Sequence, residues 1–190
     1  MIERLALPTS IEVGDERMLV RRATLDDLEA IIRLLSDDPV SAGRGDVAND
    51  EGEPAYGAAL DRIIHDPGNE VVVAVNREKS VVGTLQLTVI PGMARQGSTR
   101  LHVEAVRVAS TNRSSGIGSA MMRWVVERAA IDLETPLVQL TSDAARDEAH
   151  RFYRRLGFVD SHVGFKFDVA QTAGVGPSGA ASRRSLGGTP

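Results

Sequence analysis

The stretch RVASTNRSSGIGSAMMRWVVERA, residues 107–129, joins a strand-like run to a long amphipathic helix through a turn rich in glycine and serine. Gly116 and Gly118 stand at the start of the predicted helix, and Arg113 lies just before them. The first N–H groups of a helix have no partner within the helix and carry a partial positive charge. The turn therefore predicts a site for a phosphate or pyrophosphate group, held by main-chain amides and a guanidinium.

Two other kinds of phosphate-binding loop do not fit these letters. A Walker A loop needs a lysine after its last glycine, where this chain has Ser119, and a dinucleotide-binding loop needs a third glycine where Met121 stands. A tight strand-to-helix turn that binds no ligand explains the two glycines equally well. On the turn alone, a ligand site and a purely structural turn both stay open.

Composition limits the classes of protein. The chain has 190 residues, of which 42% are hydrophobic, and a net charge of −4, so we expect one domain with a proper core and no general nucleic-acid surface. It contains no cysteine, which excludes disulfides and thiolate nucleophiles, and its four histidines show no metal-ligand spacing. Neither a leader-like segment nor a long apolar run occurs, so we expect a cytoplasmic protein that contacts no membrane.

Hydrophobic periodicity indicates the order β-α-α-β-β-β-α-β-α-β-β, which predicts an α/β domain on a mixed, mostly antiparallel sheet. Thr24 is predicted to cap the first helix with Asp27 as its capping-box partner. We expect residues 1–17 to be a loosely structured lead-in and residues 18–169 to form the domain. The segment 158–169 is expected to form two short strands, and residues 170–190 a flexible tail rich in glycine, serine and alanine.

Candidate catalytic side chains lie on one strand and one helix. Strand alternation predicts one shared face for four residues of the strand 99–110, namely His102, Glu104, Val106 and Val108. Two ionisable groups on an apolar strand favour a use in proton transfer, and a satisfied Glu–His pair at the sheet edge is the alternative. Tyr153 lies on the apolar stripe of the late helix, and its spacing alone fits a core tyrosine.

Two motifs resemble the GNAT superfamily of N-acetyltransferases. Val106 to Val108, followed by Arg-Ser-Ser-Gly-Ile-Gly at 113–118, resembles its motif A, [Q/R]xxGxG/A. The run HRFYRRLGF, residues 150–158, is similar to the late-helix signature of the family. The resemblance implies the GNAT acyl-CoA N-acyltransferase fold, a mixed, mostly antiparallel sheet flanked by helices, over residues 18 to about 169.

The resemblance also implies acetyl-CoA as co-substrate and requires no metal. Main-chain groups of Val106 and Val108 would contact the pantetheine arm, and the thioester would point into a notch between that strand and the strand 136–142. The pyrophosphate would be held at the matching loop positions, which are Arg113, Ser114, Ser115, Gly116, Ile117, Gly118 and Ser119.

Carried over by motif position, Tyr153 would protonate the departing thiolate. Glu104 is the first choice for the base that takes the amine proton, directly or through water, and His102 is the second. Arg146 stands where many relatives have asparagine, so that contact does not transfer, and we expect a solvated arginine at the start of a helix.

The implied function is transfer of an acetyl group to a primary amine by direct attack in a ternary complex. A non-catalytic acyl-CoA-binding regulatory module is the alternative. The acidic loop 37–53 could attract a cationic acceptor such as a polyamine, an aminoglycoside-like amine or a basic peptide end, although a merely solvated loop explains the same charges. The expected partner is thus a small-molecule or protein amine, and the family also forms homodimers through late strands or helices.

Overall fold

The computed structural model describes residues 1–38, 43, 48–49, 52–167 and 169. The chain divides into two compact units, Met1–Val159 and Asp160–Pro190. The strands and helices below belong to the first unit. Most of the acidic loop 37–53 and all of the tail 170–190, for which we made predictions, lie outside the described residues.

One sheet organises the first unit, with its strands side by side in chain order. Neighbouring strands are antiparallel except the last two, which run parallel. The mixed, mostly antiparallel sheet predicted from the sequence is confirmed. The strands are β1 Thr9–Val13, β2 Glu16–Arg22, β3 Asn69–Val75, β4 Val81–Ile90, β5 Arg100–Val108 and β6 Leu137–Leu140.

Helices cover both faces of the sheet. They are α1 Leu28–Ser36, α2 Glu53–Ile64, α3 Ile117–Trp124 and α4 Asp147–Arg155, with shorter turns at Ile2–Arg4, Leu25–Asp27, Ala94–Gly97 and Ser110–Asn112. A π-helical segment, Val125–Ala129, and one more α-turn, Ala130–Asp132, continue α3 without a break. We call these three consecutive segments the central helix.

The alternation along β3 shows how the two cores are separated. Val72 and Ala74 are buried in the core that contains the central helix. Val71, Val73 and Val75 are buried in a second core, with Ile31 of α1 and Leu60 of α2. Successive side chains of a strand point to opposite faces, so an unbroken apolar run is what a strand covered on both faces requires.

The start of α1 is fixed by the predicted capping box. The main-chain N–H of Thr24 donates to the carboxylate of Asp27 at 2.9 Å, and both halves of the box are present. Asp27 is buried, and it also accepts two hydrogen bonds from Arg21 of β2, at 2.7 and 2.8 Å. This ion pair ties the first helix to the sheet.

The expectation of a loose lead-in over residues 1–17 is wrong. Thr9–Val13 pairs with β2 as an antiparallel strand, and Ile11 and Val13 are buried. The connection is a two-residue turn in which Gly14 has φ +59°, a conformation that suits a tight hairpin. Apolar and polar residues alternate on both sides of Gly14, a pattern that indicates a hairpin, and the sequence analysis missed it.

The expectation of two strands over 158–169 is also wrong within the described residues, because 158–167 forms no strand. The apolar letters alternate as in a strand, yet Val163, Phe165 and Phe167 are 79%, 92% and 76% exposed. A strand is stabilised by a hydrogen-bonded neighbour, and alternation alone does not supply one.

Candidate active site

A cleft opens where β5 and β6 part. The two strands pair only from Arg100–Leu137 to Val103–Leu140, after which β5 continues to Val108 while β6 ends. The cleft has a volume of about 140 Å³ and lies at the position predicted for the notch. It is lined by Val103, Glu104, Ala105, Val106, Arg107, Thr141, Ser142, Asp143, Arg146, Ala149 and Tyr153.

A β-bulge in β5 shapes the cleft. Thr84 lies opposite Arg107 and Gln86 lies opposite Glu104, so β5 has one residue more than β4 between these pairs. Ala105, within the bulge, has φ +50°, a left-handed conformation that is uncommon for alanine. Such a bulge leaves a residue out of the ladder of main-chain hydrogen bonds.

The bulge overturns the prediction that four residues of β5 share one face. One extra residue inverts the alternation, so side chains beyond the bulge change sides. Val106 and Val108 accordingly pack against the same core as Leu101 and Val103, and they do not share a face with His102 and Glu104. Arg107 lines the cleft as well as Val106, a placement that sequence analysis missed because the bulge leaves no clear mark in the letters.

Glu104 and His102 are neighbours, as expected, but only Glu104 lines the cleft. The Nε2 atom of His102 is 3.5 Å from Oε1 of Glu104, and its Nδ1 atom is 3.3 Å from the side-chain amide of Gln139 on β6. The side chain of His102 is 13% exposed, whereas that of Glu104 is 51% exposed. Of the two candidates for the base, Glu104 therefore has the access to a ligand in the cleft.

Tyr153 belongs both to the core and to the cleft. Its ring makes edge contacts with Phe152 and Phe158, with ring centroids 5.1 and 5.9 Å away, and its side chain also lines the cleft. Burial raises the pKa of the phenol, while the charges of Arg107 and Arg146 oppose that shift. The hydroxyl therefore holds its proton at neutral pH and is available as a donor.

Arg146 is not the solvated arginine that we expected. Its side chain is 21% exposed and lines the cleft, and its Nη2 atom donates a hydrogen bond of 2.5 Å to Oδ1 of Asp38. Asp38 follows the end of α1, so this pair joins two elements far apart in the sequence. Sequence analysis missed it because no pattern within either segment marks such a long-range contact.

The turn before the central helix is open to solvent at its mouth. Arg113, Ser114, Ser115 and Gly116 are exposed, and no side chain in the described part of the chain caps the first amides of the helix. Ser115 instead donates its hydroxyl to the main-chain oxygen of Asn112, at 2.6 Å. Ile117 is fully buried and anchors the start of the helix, and Ser119 is half-buried.

The two glycines of the turn serve different purposes. Gly116 has φ +95°, and a Cβ atom built there would meet only a methyl of Val13, at 3.8 Å. The backbone conformation, and not lack of space, therefore favours glycine at this position. A Cβ atom on Gly118 would lie 3.6 Å from both the ring of Phe152 and Val108, so this glycine faces the neighbouring elements, not the mouth.

A larger cavity, of about 570 Å³, lies between the end of α1 and the turn that follows β5. It is lined by residues of α1 and by Asp37 after it, by the β3–β4 turn and the start of β4, and by the segment Ala109–Asn112, but by none of the predicted catalytic residues. We therefore place the candidate active site at the smaller cleft.

The described residues hold neither a cluster of metal-binding side chains nor a helix suited to spanning a membrane. No group of three or more histidine, aspartate or glutamate side chains there could hold a metal ion. Within the same ranges, no helix combines the length and the apolar character needed to cross a bilayer.

Comparison with known proteins gives a family match. The model of the acetyltransferase (GNAT) family matches residues 28–158. No curated protein matches the chain in sequence.

Several solved structures are similar to the chain. A transcriptional regulator from Bacillus halodurans C-125 is 39% identical, with a TM-score of 0.74, over 80% of this chain and 99% of that one. An acetyltransferase from Trypanosoma brucei is 23% identical, with a TM-score of 0.61, over 80% and 99% of the two chains. Glucosamine-6-phosphate N-acetyltransferase from Arabidopsis thaliana is 15% identical, with a TM-score of 0.63, over 80% and 98%. The last two show likeness of fold alone.

Proposed function

Because the chain belongs to the GNAT family of acetyltransferases, we propose that it moves an acetyl group from acetyl-CoA to a primary amine by direct attack in a ternary complex. One observation carries this proposal. The carboxylate of Glu104 and the phenol of Tyr153 line the same cleft, where a base and an acid for this reaction are both needed.

The residues at the mouth of the central helix fit a diphosphate. The helix begins without a side-chain cap, Gly116 turns the backbone through a left-handed conformation, and Arg113 supplies a positive charge beside it. Main-chain amides from Ser114 to Ser119 would donate to the phosphate oxygens, as amides at a helix start do for anions. Arg113 would add a charge-assisted hydrogen bond.

The bulged part of β5 fits the pantetheine arm. The bulge breaks the ladder with β4 near Val106, so main-chain groups there lie outside the regular pairing, and β6 has ended on the other side. The carbonyl of Val106 accepts a hydrogen bond of 2.9 Å from Nη1 of Arg107. An extended ligand would add to this edge in the manner of a strand, with its amides against Val106 and Val108. Acetyl-CoA, when bound, supplies an activated acyl group as a thioester.

The cleft residues would then move two protons. As the bond from the amine nitrogen to the acetyl carbon forms, the amine loses a proton to Glu104, directly or through water. As the bond from carbon to sulfur breaks, the phenol of Tyr153 gives its proton to the departing thiolate. His102, which contacts Glu104 at 3.5 Å but does not line the cleft, would orient that carboxylate. The acceptor is a small-molecule or protein amine.

The similarity to a transcriptional regulator from Bacillus halodurans favours a second candidate function. In it, the chain binds an acyl-CoA without turning it over, and occupancy of the site controls a partner interaction. The two candidates differ at Tyr153, since a binding module needs no proton donor.

The test is an assay of free thiol release from acetyl-CoA with a panel of primary amines, made on the wild type and on Tyr153→Phe. For the enzyme we expect turnover with at least one amine, a fall in kcat of about 100-fold in the variant, and unchanged coenzyme A affinity. Tight coenzyme A binding without turnover, equal in both proteins, would favour the binding module and overturn the catalytic proposal.

A further inference from the structure

Six polar side chains form a row across four strands of the sheet, and the row reaches the cleft. The residues that alternate with them, such as Leu87, Leu101 and Val138, pack in or against the core that contains the central helix. The row therefore lies on the opposite face of the sheet, where α1 and α2 form the second core. We call it the polar strip, and its members are Asn69 of β3, Gln86 and Thr88 of β4, His102 and Glu104 of β5, and Gln139 of β6.

The register of the strands sets the members of the polar strip side by side. Residues directly opposite each other on antiparallel strands have their Cβ atoms about 5 Å apart. Three gaps between four strands make the strip roughly 14 Å long, a length that suits one small molecule. The opposed pairs are Asn69–Thr88, Gln86–Glu104, Thr88–His102 and His102–Gln139.

Hydrogen bonds within the strip engage some of its polar atoms and leave others for a ligand. Oδ1 of Asn69 accepts from Oγ1 of Thr88, at 2.6 Å, and from Nε2 of Gln86, at 3.2 Å. The side-chain amide of Gln139 contacts Nδ1 of His102, at 3.3 Å. The remaining polar atoms of Asn69, Gln86 and Gln139 form no side-chain hydrogen bond with any described residue, and all three side chains are half-buried.

The cleft connects the face of the polar strip with the opposite face of the sheet. Tyr153 packs against the core that contains the central helix, whereas Glu104 belongs to the strip. Both side chains line the cleft, which opens because β6 ends beside this part of β5. An acceptor lying on the strip therefore brings its amine to Glu104 from one face, while the proton donor for the thiolate stands on the other.

The chemistry of the polar strip suits hydroxyl groups. Its amides, hydroxyl and imidazole donate and accept hydrogen bonds between neutral groups. An apolar amine would desolvate these groups without offering partners, which costs free energy. Glu104 is the only carboxylate among the members, and strand alternation puts the guanidinium of Arg100 on the same face of β5. A polyamine would thus meet one negative charge and a nearby positive one, a poor match for several ammonium groups.

We infer that the polar strip binds the acceptor and that the acceptor is a small hydroxylated primary amine of the amino-sugar or amino-alcohol kind. The inference rests on the proposed function, since the strip leads to Glu104. Asn69, Gln86 and Gln139 hold the hydroxyl groups, and the amine nitrogen forms its bond to the acetyl carbon as the bond from carbon to sulfur breaks. The amine proton goes to Glu104, and the thiolate receives its proton from Tyr153.

Acceptor preference is the first test. Thiol release from acetyl-CoA is measured with glucosamine, with cyclohexylamine, which has a ring and an amine but no hydroxyl, and with spermidine. We expect kcat/KM for glucosamine to exceed that for each of the other two at least tenfold. A higher kcat/KM for cyclohexylamine or spermidine would overturn the inference.

Variants of the strip test which residues carry that preference. Gln86→Met removes an amide at similar volume, and Thr88→Val removes a hydroxyl. Thr9→Val is the matched control, since it makes the same change on β1 at the far edge of the sheet. We expect KM for glucosamine to rise at least fivefold in the first two variants, with KM for acetyl-CoA unchanged, and all constants of the control to match the wild type within twofold.

The outcomes separate the two proposals. Wild type that releases no thiol with any primary amine would overturn the proposed function and the inference with it. Wild type that acetylates amines, with KM for glucosamine unchanged in Gln86→Met and Thr88→Val, would overturn the inference alone.

A measurement on the wild type covers the case of a variant that does not fold. In the protein saturated with coenzyme A, we expect glucosamine to shift the side-chain amide NMR signals of Asn69, Gln86 and Gln139. The signal of Gln96, on an exposed turn away from the strip, should stay in place. Unshifted signals from the strip at saturating glucosamine would contradict the inference.

Discussion

The side chain of Tyr153 both packs in the hydrophobic core and lines the candidate active site. Its position on the apolar stripe of α4 predicts a core residue, and its ring does pack between Phe152 and Phe158. The same side chain lines the cleft, so the two interpretations made from the sequence are compatible. A ring fixed by aromatic neighbours holds its hydroxyl in one place, which is what a proton donor requires.

The titration of Tyr153 is predicted to lie above that of an ordinary tyrosine. Burial raises the pKa of its phenol above the usual value of 10.0. Since the chain has only two tyrosines, the difference in ultraviolet absorbance between wild type and Tyr153→Phe, followed from pH 8 to 12, isolates this group. We expect a midpoint above 10, with the folded protein losing stability as pH rises past the pKa of the unfolded tyrosine. A midpoint at or below 10 would refute the placement.

Glu104 and His102 are predicted to differ in their effect on turnover. Glu104→Gln removes the carboxylate that lines the cleft, and we expect kcat to fall by about 100-fold. His102→Gln removes a side chain that contacts Glu104 but does not line the cleft, and we expect kcat to fall by less than tenfold. Steady-state kinetics with one acceptor at saturating acetyl-CoA measures both. The reverse order of effects would assign the base to His102.

Among the elements, the turn and helix of residues 107–129 were predictable, whereas the strand before them was only partly so. Gly116 is required by its φ of +95°, a local demand that appears directly in the letters. The bulge at Ala105 is set by the pairing with β4, a non-local contact, and it moved Val106 and Val108 to the face opposite the one predicted. The sequence of a strand shows that its side chains alternate between the two faces of the sheet, but it does not show where a bulge interrupts that alternation.

The two glycines of the turn predict opposite responses to alanine. Gly116→Ala should lower the free energy of unfolding by about 1–2 kcal/mol, since alanine must adopt a left-handed conformation. Gly118→Ala should be neutral or stabilising, because its Cβ atom would make ordinary contacts at 3.6 Å and alanine favours a helix. Urea unfolding of both variants measures this. Equal losses at the two sites would contradict the claim that the positive φ of Gly116 makes alanine more costly there.

The capping box at the start of α1 is predicted to stabilise the fold through Asp27. Asp27→Asn weakens two hydrogen bonds from Arg21 and two from Thr24, and we expect a loss of about 2 kcal/mol in the free energy of unfolding. Asp26→Asn, at the exposed neighbour, should cost under 0.5 kcal/mol. Urea denaturation at pH 7 compares them, and similar small losses in both would contradict this role.

The stabilisation from Asp27 should also depend on pH. Hydrogen bonds from Arg21 lower the pKa of Asp27 below its ordinary value of 3.8. Its contribution is therefore fully present above the pKa of the unfolded aspartate, and it is lost as the pH falls through the lower folded value. The difference in stability between wild type and Asp27→Asn should narrow at acidic pH.

At the scale of the whole molecule, the sequence was sufficient to predict the family and the fold class, but it did not predict which segments form strands at the edges of the sheet. Two motifs and the element order predicted the mixed sheet flanked by helices. The strand Thr9–Val13 was missed because its evidence lay in a short hairpin before the first helix. The two strands expected over 158–169 are absent from the described residues 158–167, although the letters alternate. Alternation indicates one buried face, but it does not show that a neighbouring strand is there to pair with.

The contacts between elements were the least predictable part of the candidate site. Asp37 and Asp38 follow one helix, while Arg113 and Arg146 lie far along the chain, and only the fold brings them together. Considered without the fold, each of these four charged side chains looks like a solvated surface residue, and Arg146 was interpreted in that way. Arg146 is largely buried because β5, the residues that follow β6 and α4 all line the cleft in which its side chain lies.

The central claim is that main-chain amides and Arg113 at the mouth of the central helix hold the diphosphate of coenzyme A. Calorimetric titration of coenzyme A into the wild type and Arg113→Glu tests it most directly, with Arg123→Glu as a matched charge reversal on an exposed position of the same helix. We predict binding to the wild type and to Arg123→Glu, and affinity at least tenfold lower for Arg113→Glu, because a carboxylate there repels the phosphates. Equal affinities in all three proteins, or no binding to the wild type, would contradict the claim.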